Sequence, residues 1–284
     1  MNKLNNVKAG TVAIIGIPFD EHSTFMKGTA LAPQKIRGAL KSDSSNMCTE
    51  SIVDLSAEPQ FLDLGDLNIK NYIDDIEQPI KNILEKEAFV LSLGGDHSVT
   101  YPILKAYGKK YKNLNILQLD AHPDLYNEYE GNIYSHACPF ARIMEENLAE
   151  RLVQVGIRTM NPHQQEQAKR FNVETIDMKQ WHPSFNPAFN GPVYISLDMD
   201  VLDPAFAPGV SHHEPGGLST REVIQIIQKL KGPIVGADIV EVNPRQDPLG
   251  ITAMAAAKFL KEIAGKMLPS GGQSLVPNSQ INIP

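Results

Sequence analysis

The chain has 284 residues, of which 42% are hydrophobic and 21% charged, a mixture that fits a globular protein with a sizeable core and excludes disorder for most of the length. With 33 Asp+Glu against 26 Lys+Arg the formal net charge is -7, so nucleic acid and anionic membranes, which call for clustered basic residues, are not expected partners; a cationic small molecule suits the chain better. Two cysteines, Cys48 and Cys138, cannot make a disulfide framework and fit a reducing compartment, with the cytoplasm as the expected location.

The first apolar run, Thr11 to Ile17, is too short to cross a membrane and stops at Pro18, so it reads as a buried strand. Short β-branched runs recur at 12–17, 88–93, 115–119, 152–157, 192–197 and 233–240, with weaker candidates near 61–64 and 173–177, about eight strands in all. Between most of them lie stretches with helical spacing at 76–86, 99–112, 139–150, 162–171, 219–231 and 252–267. Such alternation predicts an α/β fold, a three-layer αβα sandwich around a central, mainly parallel sheet. No repeat or Pro/Gly/Ser-rich linker divides residues 1–267, which are read as one domain. Residues 268–284 turn to Pro, Gly, Ser and Asn, predicting a mobile tail or a segment ordered only by a partner subunit.

Ligands of parallel sheets gather beyond the carboxyl ends of the strands. Three of the predicted strands exit into polar clusters: Gly94-Gly95-Asp96-His97-Ser98, Asp120-Ala121-His122-Pro123-Asp124 and Asp198-Met199-Asp200. They offer six candidate metal ligands, His97, Asp120, His122, Asp124, Asp198 and Asp200. Alternate residues of an extended chain project to one side, so Asp120, His122 and Asp124 could converge on one point. A lone D-x-D after a strand is more often a turn or a cap, but two carboxylates and an imidazole within five residues are costly to bury without a partner. Four carboxylates in one place repel unless cations neutralise them. Six donors exceed the needs of one tetrahedral zinc and suit two divalent ions sharing bridging carboxylates. Their oxygen-rich, cysteine-free chemistry favours Mn²⁺ over Zn²⁺ and leaves Ni²⁺, Co²⁺ and Fe²⁺ open.

These motifs, GGDHS at 94–98, DAHPD at 120–124, SLDMDVLDPAFAPG at 196–209 and DIVEVNP at 238–244, resemble those of the ureohydrolases, the arginase and agmatinase family, over about residues 10 to 265. Segments such as YSHACPFARIME and APGVSHHEPGGLS are most similar to the branch of bacterial agmatinases and plant-type arginases. The resemblance implies a binuclear manganese enzyme of arginine and polyamine metabolism, a homo-oligomer (trimer or hexamer), that hydrolyses a guanidino substrate to urea and an amine. It implies that His97, Asp120, Asp124 and Asp198 bind one Mn²⁺ and Asp120, His122, Asp198 and Asp200 the other. It also implies that His136 moves a proton and that Glu241 grips the guanidinium group. A carboxylate would orient that poor electrophile by charge-assisted hydrogen bonds, and an imidazole titrating near neutrality would protonate the leaving amine.

Taken alone, His136 also reads as a polar loop residue, and a carboxylate after the buried run 234–240 finds a partner as readily in Arg245 as in a substrate. His212 and His213 are expected to line the site entrance or to hydrogen-bond their loop, and Cys138 to pack. The sequence departs from the family's commoner G-T-G-T-P after Gly209, reading Val210-Ser211-His212-His213-Glu214, so Ser211 is a candidate for supporting the substrate or Glu241. Residues 125–134 lack the Asn- and Ser/Thr-rich stretch with which animal-type arginases hold the amino acid's carboxylate. That tilts the expected substrate towards agmatine, with arginine, guanidinobutyrate and guanidine as alternatives. A metal-binding regulatory protein without turnover and a one-zinc deacetylase are the readings from other classes, disfavoured by the full donor set.

Overall fold

The apolar runs become strands in the computed structural model, which describes residues 4–269. They are β1 (Val12–Gly16), β2 (Phe61–Asp66), β3 (Phe89–Leu93), β4 (Asn115–Leu119), β5 (Arg151–Ile157), β6 (Glu174–Asp177), β7 (Val193–Asp198) and β8 (Ile234–Val240). All eight join one sheet in the order β2-β1-β3-β8-β7-β4-β5-β6, and every neighbouring pair is parallel. Parallel strands covered on both faces need continuous apolar sequence, and β1, β3, β4, β7 and β8 are buried at every position. The edge strands β2 and β6 are only partly buried, which is why their apolar signal is weak.

The helices are α1 (Ala32–Leu40), α2 (Asp74–Leu84), α3 (Thr100–Lys110), α4 (Pro139–Glu145), α5 (Pro162–Arg170), α6 (Thr220–Lys229) and α7 (Ile251–Met267). Six overlap the predicted stretches. The exception is α1, whose nine residues bury Ala32, Pro33, Ile36 and Leu40, too few for a visible period. Helix α4 stops five residues earlier than its spacing suggests, because the chain turns at Asn147, held in the left-handed region at φ 53°. At the start of α6, Ser219 and Glu222 form a reciprocal capping box, and Val223, Ile224, Ile226 and Ile227 pin the helix to the core. Complete burial of each such side chain stabilises the fold by about 1.5–3 kcal/mol.

Two close approaches fix the centre of the sheet. Tyr107 of α3 lays its hydroxyl against β3 and β8, accepting from Val90 N at 3.2 Å and donating to Val235 O at 3.1 Å. A Cβ on Gly236 would stand 2.1 Å from that oxygen, so only glycine fits. Beyond β3, a Cβ on Gly95 would stand 1.7 Å from Phe19 O, tying the β3 exit to the loop after β1. Because β3, β8, β7 and β4 are adjacent, the segments leaving their carboxyl ends meet at one place. Among the described residues no helix is long and apolar enough to cross a membrane. Of the predicted tail, residues 270–284 lie outside the described residues.

Candidate metal centre

The β3, β4 and β7 exits bring the predicted donors together. His97, Asp120 and Asp124 form one group whose ligating atoms lie within 4.8 Å of one another, and Asp120, His122 and Asp200 form a second that shares Asp120. His97 Nδ1 is 3.1 Å from a carboxylate oxygen of each of Asp120, Asp124 and Asp198. It is wholly buried and hydrogen-bonded to none of them, so it faces the space they enclose. His122 Nδ1 stands 3.0 Å from Asp200 and 3.7 Å from Asp120. Asp198 accepts from Asp200 N through its other oxygen, which sets the 3₁₀ turn carrying Asp200 back to the centre.

The His97 ring is oriented from behind. Tyr194 OH and Ser196 Oγ each donate to the buried Asp238 at 2.8 Å, and Thr100 Oγ1 does so at 3.0 Å. With its proton given to Asp238, Ser196 Oγ accepts from His97 Nε2 at 2.9 Å. The Nε2 position therefore carries the hydrogen, and Nδ1 is the nitrogen that presents a lone pair once the ring is neutral. This donor set fits a pair of divalent cations. A buried ring nitrogen surrounded by three carboxylates is stable only if a positive charge sits there, either a proton on the ring or a metal ion.

Electrostatics agree. For His97, burial opposes the charged ring, yet Asp120, Asp124 and Asp198 raise its pKa well above the usual value. For His122, burial is likewise outweighed by Asp200 and Asp120, and the ring is held up at about 12. Burial, reinforced by the charge of Asp120, pushes Asp124 up to about 6. Burial and the charges of Asp200 and Asp120 raise Asp198 well above the carboxylate range.

Beside the cluster, His136 Nδ1 lies 3.0 Å from Glu241 Oε1, and His136 Nε2 lies 2.9 Å from Thr24 Oγ1. Glu241 follows β8; its N–H donates to Gly95 O and its Oε1 accepts from His97 N, both at 2.9 Å. Burial would raise the Glu241 pKa, but the His136 hydrogen bond and charge hold it below the usual value. Burial of His136 is outweighed in turn by Glu241, which lifts the imidazole to about 9. Glu241 sits at φ 63° and Asp124 at φ 51°, both left-handed, and such strain costs about 1–3 kcal/mol per residue and clusters at functional sites.

Residues 10–265 match the model of the Arginase family. The chain belongs to the arginase family. It is 44% identical to "Arginase, mitochondrial" of Medicago truncatula over 288 residues, covering 94% of this chain and 85% of that protein. The solved structure of the arginase from Medicago truncatula superposes with a TM-score of 0.86 at 42% identity, covering 94% of this chain and 90% of that one. An agmatinase of Bacillus cereus is 35% identical over 266 residues, covering 89% and 90%. The chain is thus an arginase-family amidinohydrolase on the αβα fold expected from its sequence.

The expected cytoplasmic location does not stand. Plant relatives carry the names mitochondrial or chloroplastic/mitochondrial arginase, which points to organelles. Both cysteines are free, but a scarcity of disulfides reports a reducing environment and does not choose among compartments.

Of the remaining candidates, Ser211 Oγ donates to Met26 O at 3.1 Å and accepts from Asn243 Nδ2 at 2.9 Å, joining its segment to the loop after β1. His213 bonds its own loop at Pro208 O, whereas His212 lies ring to ring with His136 and His122 at 5.1 and 5.8 Å, at the mouth beside the exposed Phe25. Cys138 is buried, and burial pushes its thiol up to about 12. Thr24 and Asp238 were not read from sequence as site residues. An aspartate in the middle of the apolar run 234–240 was the available signal for a buried polar network; Thr24, in an aperiodic loop, had none.

Proposed function

We propose that this chain is a manganese-dependent arginase that hydrolyses arginine to ornithine and urea, with agmatine, giving putrescine, as the second substrate. The carrying observation is the Glu241 carboxylate, buried against His97 of the donor cluster and already paired with a cationic imidazole. A site that holds an imidazolium there suits a guanidinium. In this reading His97, Asp120, Asp124 and Asp198 hold one cation, and Asp120, His122, Asp198 and Asp200 the other. When bound, such a pair supplies a water acidic enough to lose its proton near neutral pH. Mn²⁺ suits an oxygen-rich donor set without cysteine.

Glu241 orients the guanidinium by charge-assisted hydrogen bonds, holding its carbon towards the donor cluster. Among the described residues no hydrogen bond uses its Oε2, so that oxygen is open to the substrate. His136, displaced from Glu241 by the arriving cation, gives its Nδ1 proton to the leaving amine. Ser211 contributes by fastening the loop after β1.

Arginine is placed first because the plant arginase is 44% identical and the bacterial agmatinase 35%. This reverses the preference for agmatine drawn from residues 125–134. In that loop Asn127 Oδ1 accepts from Gln167, and Asn132 Oδ1 from Tyr134 N. Agmatine is the runner-up because residues 125–134 lack the Asn- and Ser/Thr-rich stretch of animal-type arginases. Steady-state rates on the Mn²⁺-loaded protein decide: kcat/KM is higher for arginine, and a higher value for agmatine would overturn the assignment.

A further inference from the structure

The loop after β1 supplies no metal donor, yet it reaches the centre of the site at Thr24. It is fastened on both sides of that residue. His22 N and Ser23 Oγ donate to Asp96 Oδ2 at 3.0 and 3.3 Å, Ser211 Oγ donates to Met26 O at 3.1 Å, and Gly28 N donates to Asp20 Oδ2 at 2.7 Å. Asp96 is wholly buried and adjoins His97, so the loop and the donor cluster are tied to the same turn. The Thr24 hydroxyl therefore meets His136 Nε2 from a fixed position, 2.9 Å away.

The chemistry of the ring explains why a hydroxyl belongs there. The ionised Glu241 can only accept, so His136 Nδ1 carries the proton between them. In the imidazolium Nε2 is a second donor, and in the neutral ring protonated on Nδ1 it is an acceptor. After Nδ1 has given up its proton, Nε2 is a donor again. Thr24 Oγ1 can answer all three states by rotating one hydrogen, whereas a carbonyl, a carboxylate or an ammonium group could answer only some of them.

We propose that Thr24 is the positioning residue of His136, holding Nε2 in every protonation state so that Nδ1 meets Glu241 before the substrate arrives and the leaving amine after it has taken Glu241. This rests on the reading of His136 as the proton donor. The charged and titratable groups around the ring are Glu241 after β8, Asp96 after β3, Asp124 after β4, His212 in the segment between β7 and α6, and His22 in Thr24's own loop. Thr24 adds no charge to that set, so its removal acts through the hydrogen bond.

The test compares Thr24→Val, which keeps the shape, with Thr24→Ser, which keeps the hydroxyl, and with Thr24→Ala should the valine variant not fold. Nitrogen-15 NMR of the metal-free protein, with His136 assigned by His136→Ala, reads the ring directly. The valine and alanine variants titrate at lower pH than wild type and mix the two tautomers, and the serine variant titrates as wild type. In the Mn²⁺-loaded protein the valine variant loses about ten-fold in kcat with KM nearly unchanged, and its basic limb moves to lower pH. Serine restores both. An unaltered His136 titration in the valine and alanine variants, or a serine variant as impaired as valine, overturns the proposal. Undiminished urea release by His136→Ala would instead remove the proton-donor reading, while a shifted titration in the valine variant would still show that Thr24 holds the ring.

Discussion

His136 Nδ1 stands 3.0 Å from Glu241 Oε1, although the two residues are 105 positions apart, and the same oxygen accepts the His97 N–H. One carboxylate thus serves an imidazolium now and, in the proposed reaction, a guanidinium. The two cations compete for it.

A guanidinium ligand bound to Glu241 removes the main support of the charged ring, so the His136 pKa falls from about 9 towards the ordinary value. Titrating His136 by NMR with and without a guanidino substrate analogue measures it. In Glu241→Gln the ring should already titrate low and should not respond to the ligand; a response there would place the guanidinium elsewhere.

The same pair makes stability depend on pH. His136 has a folded pKa raised to about 9 against an unfolded value of about 6.5, so its stabilisation is complete below about 6.5 and is lost as pH rises through about 9. The depressed Glu241 works at the other end, its share being lost on acidification through its folded pKa. The shift of His136 corresponds to at most about 3 kcal/mol. Denaturant midpoints of metal-free wild type and His136→Ala should converge across the alkaline window, and parallel curves would show that the pair does not stabilise the fold.

Metal binding should expel protons. Without cations His122 is held up at about 12 and His97 well above its usual value, so both rings are charged at neutral pH and must shed a proton to ligate. Calorimetry of Mn²⁺ binding in buffers of different ionisation enthalpy counts those protons, and affinity should rise with pH. Binding without proton release would show that neither ring is charged in the metal-free protein.

Ser196 lies behind His97 and is not itself a candidate ligand, yet it fixes the ring through its link to Asp238. Ser196→Ala should weaken metal binding by about 10- to 100-fold while the fold persists. Metal affinity by competition with a chelating dye, alongside circular dichroism, separates this outcome from general destabilisation.

Much of this arrangement is legible in the chain because two physical signals are strong. Buried parallel strands must be apolar throughout, so the runs at β1, β3, β4, β7 and β8 stand out, and carboxylates crowded at three strand exits demand cations. What escapes is set by tertiary contact. Helix α1 is too short to show a period, Thr24 is one hydroxyl in an irregular loop, and the left-handed backbone of Glu241, whose N–H meets Gly95 O, is a feature of the folded contact. The choice between arginine and agmatine rests on the far end of the substrate, where the expected amide-rich loop is absent. Residues 125–134 favour agmatine there, and the 44% identity to a plant arginase favours arginine.

The central claim is that the cluster and Glu241 together cleave a guanidino group. Urea released by the Mn²⁺-loaded protein, with two metals per chain confirmed and with arginine, agmatine, guanidinobutyrate and guanidine offered in parallel, tests it most directly. The account predicts urea from arginine above the others, and its near loss in Glu241→Gln with the metals retained. No urea from any of the four by the fully loaded wild-type protein would contradict it.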